Sequence, residues 1–215
     1  MPDSALARVN WEHLPLRRVP SQARSRDKVI RALKAADEIV AADGAAAVNL
    51  SSVAERAGVS VGALYQYLPD RDAILAALSW RYHARLEALL DEVVADARRR
   101  PPTSNPVGYV IDAVAEIYRE EASARSLRGS AGLPSFDEQR QAHRARMAAK
   151  VAELLQVAGI TSSGRKPTPM IAAVAFTTAD ALLHEAFAAA EPERSQILEE
   201  LRLVARGYLQ ARADD

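Results

Sequence analysis

The run from Asn49 to Tyr67 constrains this chain more than any other segment. Leu50, Val53, Ala54 and Ala57 recur at helical spacing, and Asn49 stands before them as an N-cap residue. Gly58 interrupts the pattern where a tight turn requires positive φ, and Ser60 then caps a second short helix from Val61 to about Leu68. Val53, Ala54 and Leu64 are spaced to pack the two helices together, and Ala57 leaves room for a close crossing. Two short helices joined by a glycine turn form a helix-turn-helix, an arrangement suited to laying its second helix in a DNA major groove.

The rest of the chain reads as helix as well. Val29, Leu33, Ala36 and Val40 define a helix from Ser25 that Gly44 stops. Asp70 caps a long helix through Leu75, Tyr82, Leu89 and Val93, about 40 Å if continuous to Arg99. Asn105-Pro106 opens another, a capping box from Ser135 to Glu138 the next, then Thr168-Pro169, and Glu191-Pro192 the last. Alanine and leucine dominate the apolar fraction and β-branched residues are sparse, so no strand survives this reading. The expected fold is all-α, with about nine helices: a basic flexible arm over 1–24, a DNA-binding domain over 25–71, and a ligand-binding and dimerisation domain over 72–215.

Charge lends little to a nucleic-acid reading by itself, because the formal net charge is zero. Its distribution says more: residues 1–34 hold eight Lys or Arg against three acids, and residues 35–72 hold two against six. Phosphate contacts therefore fall to the arm and the first helix, with Arg24 and Arg26 as candidates. On the second helix of the motif, Val61, Gly62 and Ala63 are small enough for close approach to base edges and suit thymine methyls. Gln66 can pair with adenine. The hydroxyls of Tyr65 and Tyr67, and Arg71 beside them, suit phosphates.

The stretch from Ala57 to Leu75, together with Gln22 to Arg26 ahead of an amphipathic helix ending at Gly44, resembles the signature of the tetracycline-repressor (TetR) family of bacterial regulators. The resemblance covers roughly residues 20–78. Leu68 stands where that family usually has phenylalanine, and Arg71 where it usually has lysine. The resemblance implies a three-helix DNA-binding domain joined by the long helix to a regulatory one. It implies DNA contacts at Asn49, Ser51, Ser52, Ser60, Tyr65, Tyr67 and Arg71, with Val61, Gly62, Ala63 and Gln66 facing bases. It also implies a homodimer on a double-stranded operator; the layout of a DNA-binding head, a rigid connector and a separate core points to a small-molecule effector, and no cofactor is expected.

In the C-terminal half, the helix from Thr168 to Ala190 carries two apolar faces. Ile171, Val174, Thr178 and Leu182 line one, and Phe176, Leu183 and Phe187 the other. A helix apolar on both sides must be covered on both sides, and a partner subunit is the expected second cover. Phe176, Leu183 and Phe187, with Leu198, Leu201, Val204 and Tyr208 on the last helix, are the expected dimer residues. Tyr82, Leu86, Tyr109, Ile117, Met147, Val151, Phe176 and His184 combine apolar bulk with occasional polar tips and are the expected ligand-binding set.

Other classes fare worse. The chain has no cysteine, which excludes disulfides and thiolate metal sites. The N-terminus lacks a continuous apolar run and no stretch reads as a bilayer span, so a cytoplasmic protein without a membrane partner is expected. Gly58 to Gly62 matches the G-x-S-x-G of serine hydrolases, but that chemistry needs a strand before the serine, and here the spacing is helical. The four histidines are scattered and form no metal motif. An enzyme is not expected. A helical dimeric interaction module without specific DNA binding is the remaining alternative.

Overall fold

The computed structural model describes residue 11 and residues 14–100, 106–120, 134–157 and 169–213. Among these residues it holds eight α-helices, one short 3-10 turn and no strand. They are α1 (Ala23–Asp43), α2 (Leu50–Ala57), α3 (Val61–Tyr65), α4 (Arg71–Arg99), α5 (Pro106–Glu120), α6 (Pro134–Val157), α7 (Pro169–Ala188) and α8 (Glu193–Ala213). The 3-10 turn spans Ala45–Ala47.

Local chemistry accounts for the boundaries. Gly44 at φ 80° stops α1. Asp70 Oδ1 accepts from the Ala73 amide at 2.7 Å and starts α4. Proline occupies the first position of α5, α6 and α7, where its missing N–H costs nothing. That placement corrects one expectation: α6 begins at Pro134, so Ser135 lies inside its first turn and not at the cap. Asn105 and Thr168 lie outside the described residues.

The chain divides into two compact units, and the division falls inside α4, between Arg85 and Leu86. The first unit is built on α1, α2, α3 and the start of α4, around Val29, Leu33, Ala36, Val40, Val53, Leu64, Leu68, Ile74 and Leu78. Arg81 and Asp37 form a largely buried ion pair at 3.3 Å that ties α4 to α1. The N-terminal segment departs from the expectation of a free arm. Leu14 and Pro20 are buried, and Trp11 and Leu16 pack on the same core.

In the second unit, α7 and α8 pack along one another and both contact α5. Tyr118 stacks on Phe187 with ring centroids 5.1 Å apart. Farther along α4, Val93, Val94 and Ala97 pack with Leu154 of α6. Beside them Glu87 accepts from His143 Nδ1 at 2.8 Å and from two nitrogens of Arg146 at 2.8 and 2.9 Å. Burial alone would raise the Glu87 pKa. The hydrogen bonds and charges of His143 and Arg146 outweigh it and bring the group from 4.5 down to about 2.

This cluster therefore stabilises the fold fully above pH 4.5, and its contribution fades as pH falls towards 2. A shift of that size corresponds to about 3 kcal/mol, and solvent access at Arg146 reduces it to roughly half. Glu87→Gln is expected to lower Tm by a few degrees at neutral pH and to flatten the acid limb of the stability curve. Circular-dichroism melts from pH 7 to pH 2 check this, and matching curves for the two proteins would count against it.

By length and composition α7 could cross a bilayer, contrary to the expectation that no stretch could. In this fold Ala172, Phe176, Leu183, Ala186 and Phe187 turn one side of it into the core of the second unit.

Candidate nucleic-acid interface

The expected helix-turn-helix forms, and its geometry is set by side chains acting on backbone. Asn49 Oδ1 accepts from the Ser52 amide at 2.9 Å, and Ser52 Oγ accepts from the Asn49 amide at 3.3 Å, a reciprocal capping box for α2. The other end of α2 closes in a left-handed turn. Gly58 lies at φ 63°, ψ 40°, its amide donates to Glu55 O, and the Val59 amide donates to Ala54 O. Arg31 on α1 adds a bond from Nη1 to Ala57 O at 2.9 Å, covering a carbonyl at the end of α2. Ser60 Oγ accepts from the Ala63 amide at 3.2 Å and starts α3.

Gly58 has room for a side chain, since an added Cβ would meet only Arg31 Nη1 at 3.6 Å. Its demand is conformational. Gly58→Ala is expected to cost about 1 kcal/mol and Gly58→Val about 2 kcal/mol, because a branched Cβ crowds the carbonyl in this region. Urea unfolding reads the difference, and a Val variant with the parent midpoint would sink the argument.

The recognition helix turns only Leu64 inward. Val61, Gly62, Tyr65 and Gln66 are exposed, while Ala63 and Tyr67 are half-buried. Space beyond Gly62 is open. The surface offered is thus small, apolar and flanked by one phenol and one amide. Of the residues expected to meet phosphates, Arg24, Arg26, Asn49, Ser51 and Ser60 are exposed, and Ser52 and Arg71 are half-buried. Asn49, Ser52, Arg26 and Arg71 are engaged internally: Asn49 Nδ2 and Ser52 Oγ donate to Ala47 O, and Arg26 Nε donates to Pro20 O.

Arg71 donates from Nε and Nη2 to Ala45 O at 3.3 and 3.1 Å, and its Nη1 lies 3.4 Å from Asp72 Oδ1. It pins the 3-10 turn that leads into the Asn49 cap, a bidentate bond that a lysine could not copy. Sequence reasoning passed over two arginines, the first of which meets the recognition helix. The Arg17 guanidinium lies over the Tyr65 ring, 5.2 Å from its centroid, and exposed Arg18 follows it. No local signal marked them, because their position depends on Leu14 reaching a distant core.

The residues before Ser60 form α2, where a serine-hydrolase elbow would need a strand. Two family models match the sequence. Residues 32–78 match the bacterial regulatory proteins of the tetR family, and residues 107–209 match the tetracyclin repressor-like C-terminal domain. The chain belongs to the TetR family. Family membership makes it a transcriptional regulator with an N-terminal DNA-binding domain and a C-terminal regulatory domain. Regulators of this family are in general not enzymes.

Several solved structures share the fold, TetR-family regulators among them. A regulator from Pectobacterium atrosepticum superposes with TM-score 0.67 at 13% identity, over 91% of this chain and 99% of that one. A complex of SmeT with triclosan gives 0.66 at 23% identity, over 86% and 90%. A regulator from Streptomyces coelicolor gives 0.57 at 22% identity, over 86% and 99%. No curated protein matches the sequence at a significant level.

The remaining expected residues of this TetR-family chain fall as follows. Phe176, Leu183, Phe187, Leu198 and Leu201 are buried by their own subunit. Their apolar area is already covered and has little left to give a partner. Val204 is exposed, and Tyr208 is half-buried beneath Arg212. The open apolar surface of α7 and α8 is instead Met170, Val174, Leu203 and Val204, exposed by 69, 38, 63 and 42%.

Of the expected ligand set, Tyr82 is buried in the first unit, and Leu86, Ile117, Met147 and Phe176 are buried in the second. Val151 and His184 are half-buried. Tyr109 is 58% exposed on α5, which removes it from any interior site. Phe176 meets the His143 ring edge-on at 6.3 Å.

Proposed function

We propose that this regulator is a cytoplasmic homodimer that represses transcription from a pseudo-palindromic operator and releases it when a small molecule binds the C-terminal domain. The observation that carries the reading is the recognition helix. It is held by its caps and by Leu64, and it offers Val61, Gly62, Tyr65 and Gln66 to the outside. Val61 and Gly62 suit close approach to thymine methyls, Gln66 suits adenine, and Tyr65, Ser51 and Ser60 suit flanking phosphates.

Dimerisation through the open face of α7 and α8 supports a symmetric site, since two such faces are self-complementary about a two-fold axis. It also gives the second apolar side of α7 a protein cover. SmeT is solved with triclosan. For the present chain the interior of the second unit, around Leu86, Ile117, Met147 and Phe176, is the proposed effector site. Operator release then follows if the effector favours a state in which the recognition helices sit at the wrong separation, with α4 transmitting the change.

Selection of bound fragments from a random-sequence DNA pool at moderate salt tests this reading. Enrichment of a two-fold symmetric site supports it and supplies the probe for an effector screen. Loss of all DNA from a folded dimer would point to a helical interaction module.

A further inference from the structure

The segment from Leu14 to Arg26 holds four arginines and no acid, in a chain whose net formal charge is zero. It is also fixed. Leu14 and Pro20 are buried in the core of the first unit. The Arg17 amide donates to Tyr67 O at 2.9 Å, just past the recognition helix. Arg26 Nε donates to Pro20 O at 3.1 Å, and the Arg26 guanidinium lies over the Trp11 ring. These anchors hold residues 14–20 as a strap across the first unit, with the Arg17 side chain resting on Tyr65.

Arg17 and Arg18 are both exposed, and among the described residues neither is ion-paired. By contrast, Arg26 and Arg71 spend donors on backbone carbonyls. We infer that the strap is part of the DNA interface and delivers Arg17 and Arg18 to the phosphates beside the Tyr65 end of the recognition helix. The inference rests on the DNA-binding reading above and adds two cationic contacts to a helix that carries no positive charge between Val61 and Tyr67. Stacking on a phenol restricts the Arg17 guanidinium while leaving its edge N–H groups available to an anion. The position is thus prepared before DNA arrives.

The test is the salt dependence of binding, measured by fluorescence anisotropy on a mixed-sequence duplex of about 30 base pairs. The double variant Arg17→Gln, Arg18→Gln is expected to reduce the slope of log K against log salt by about 0.9 for each lost phosphate contact, so about 1.8 per subunit. Affinity near 0.1 M salt should fall by about 60-fold for each engaged subunit from that slope, and by the square of that where both subunits of a dimer are bound. Arg17→Lys with Arg18→Lys should restore most of the slope, which a purely packing role would not require.

Should the double variant lose its fold, Arg18→Gln alone gives the same reading at half the size. An unchanged slope in a folded Gln variant would overturn the strap contact and leave the helix-turn-helix reading standing. A wild-type protein that binds no duplex at any salt would overturn both.

Discussion

Placing Leu203→Arg and Val204→Arg together is expected to yield a helical monomer that has lost about 10²–10⁴ in affinity for a symmetric operator. The subunit itself should tolerate the change, because both side chains already face outward from α8. The proposed dimer should not. Two arginines on a self-complementary face meet two more from the partner, and four charges would lose their water where Leu203, Val204, Met170 and Val174 supplied apolar contact. A site built for two half-site readers then binds one at a time, and the gain from linking them disappears. Sedimentation at micromolar concentration and anisotropy on the selected duplex read the two effects. A variant that stays dimeric would remove α7 and α8 from the interface.

The second large effect is expected at Leu64. The recognition helix has five residues, far too few to persist alone, and Leu64 is its one buried side chain. Leu64→Ala is expected to cost about 3 kcal/mol, from lost transfer energy and an unfilled cavity. Spent on detaching so short an element, that loss corresponds to a fall of about 100-fold in DNA affinity. The second unit would keep its helices. Hydrogen exchange of the amides from Val61 to Leu68 should rise while those of α7 and α8 stay protected. Binding within threefold of the parent would show that Tyr67 and Leu68 hold the helix without Leu64.

What the sequence disclosed and what it hid follow one physical line. Asn49, Gly58, Ser60 and Asp70 are legible because each acts within a few residues of itself, on an amide or a dihedral angle. The starts of α5 and α7 are legible for the same reason, through proline at their first positions, whereas α6 begins at Pro134, just ahead of the cap expected at Ser135. Long-range packing was not legible. Pro15 and Pro20 look like the punctuation of a loose arm, and only the distant core shows that Leu14 is buried.

Periodicity also revealed two apolar faces on α7 without telling which one its own subunit covers. The expected dimer set includes Phe176, Leu183 and Phe187, which the subunit buries, while Met170 and Val174 on the same helix stay exposed. A long helix can begin in one core and end in another, and α4 does so, with the division between the two compact units after Arg85.

The strap has a practical corollary for anyone who handles this protein. Leu14 and the strap that follows it belong to the same unit as the recognition helix. An affinity tag on the N-terminal side would be tethered to the DNA-binding unit, and a polyhistidine or acidic tag would add its own charge to every titration. Removal of such a tag by protease before assay takes that charge out of any titration that reads Arg17 and Arg18.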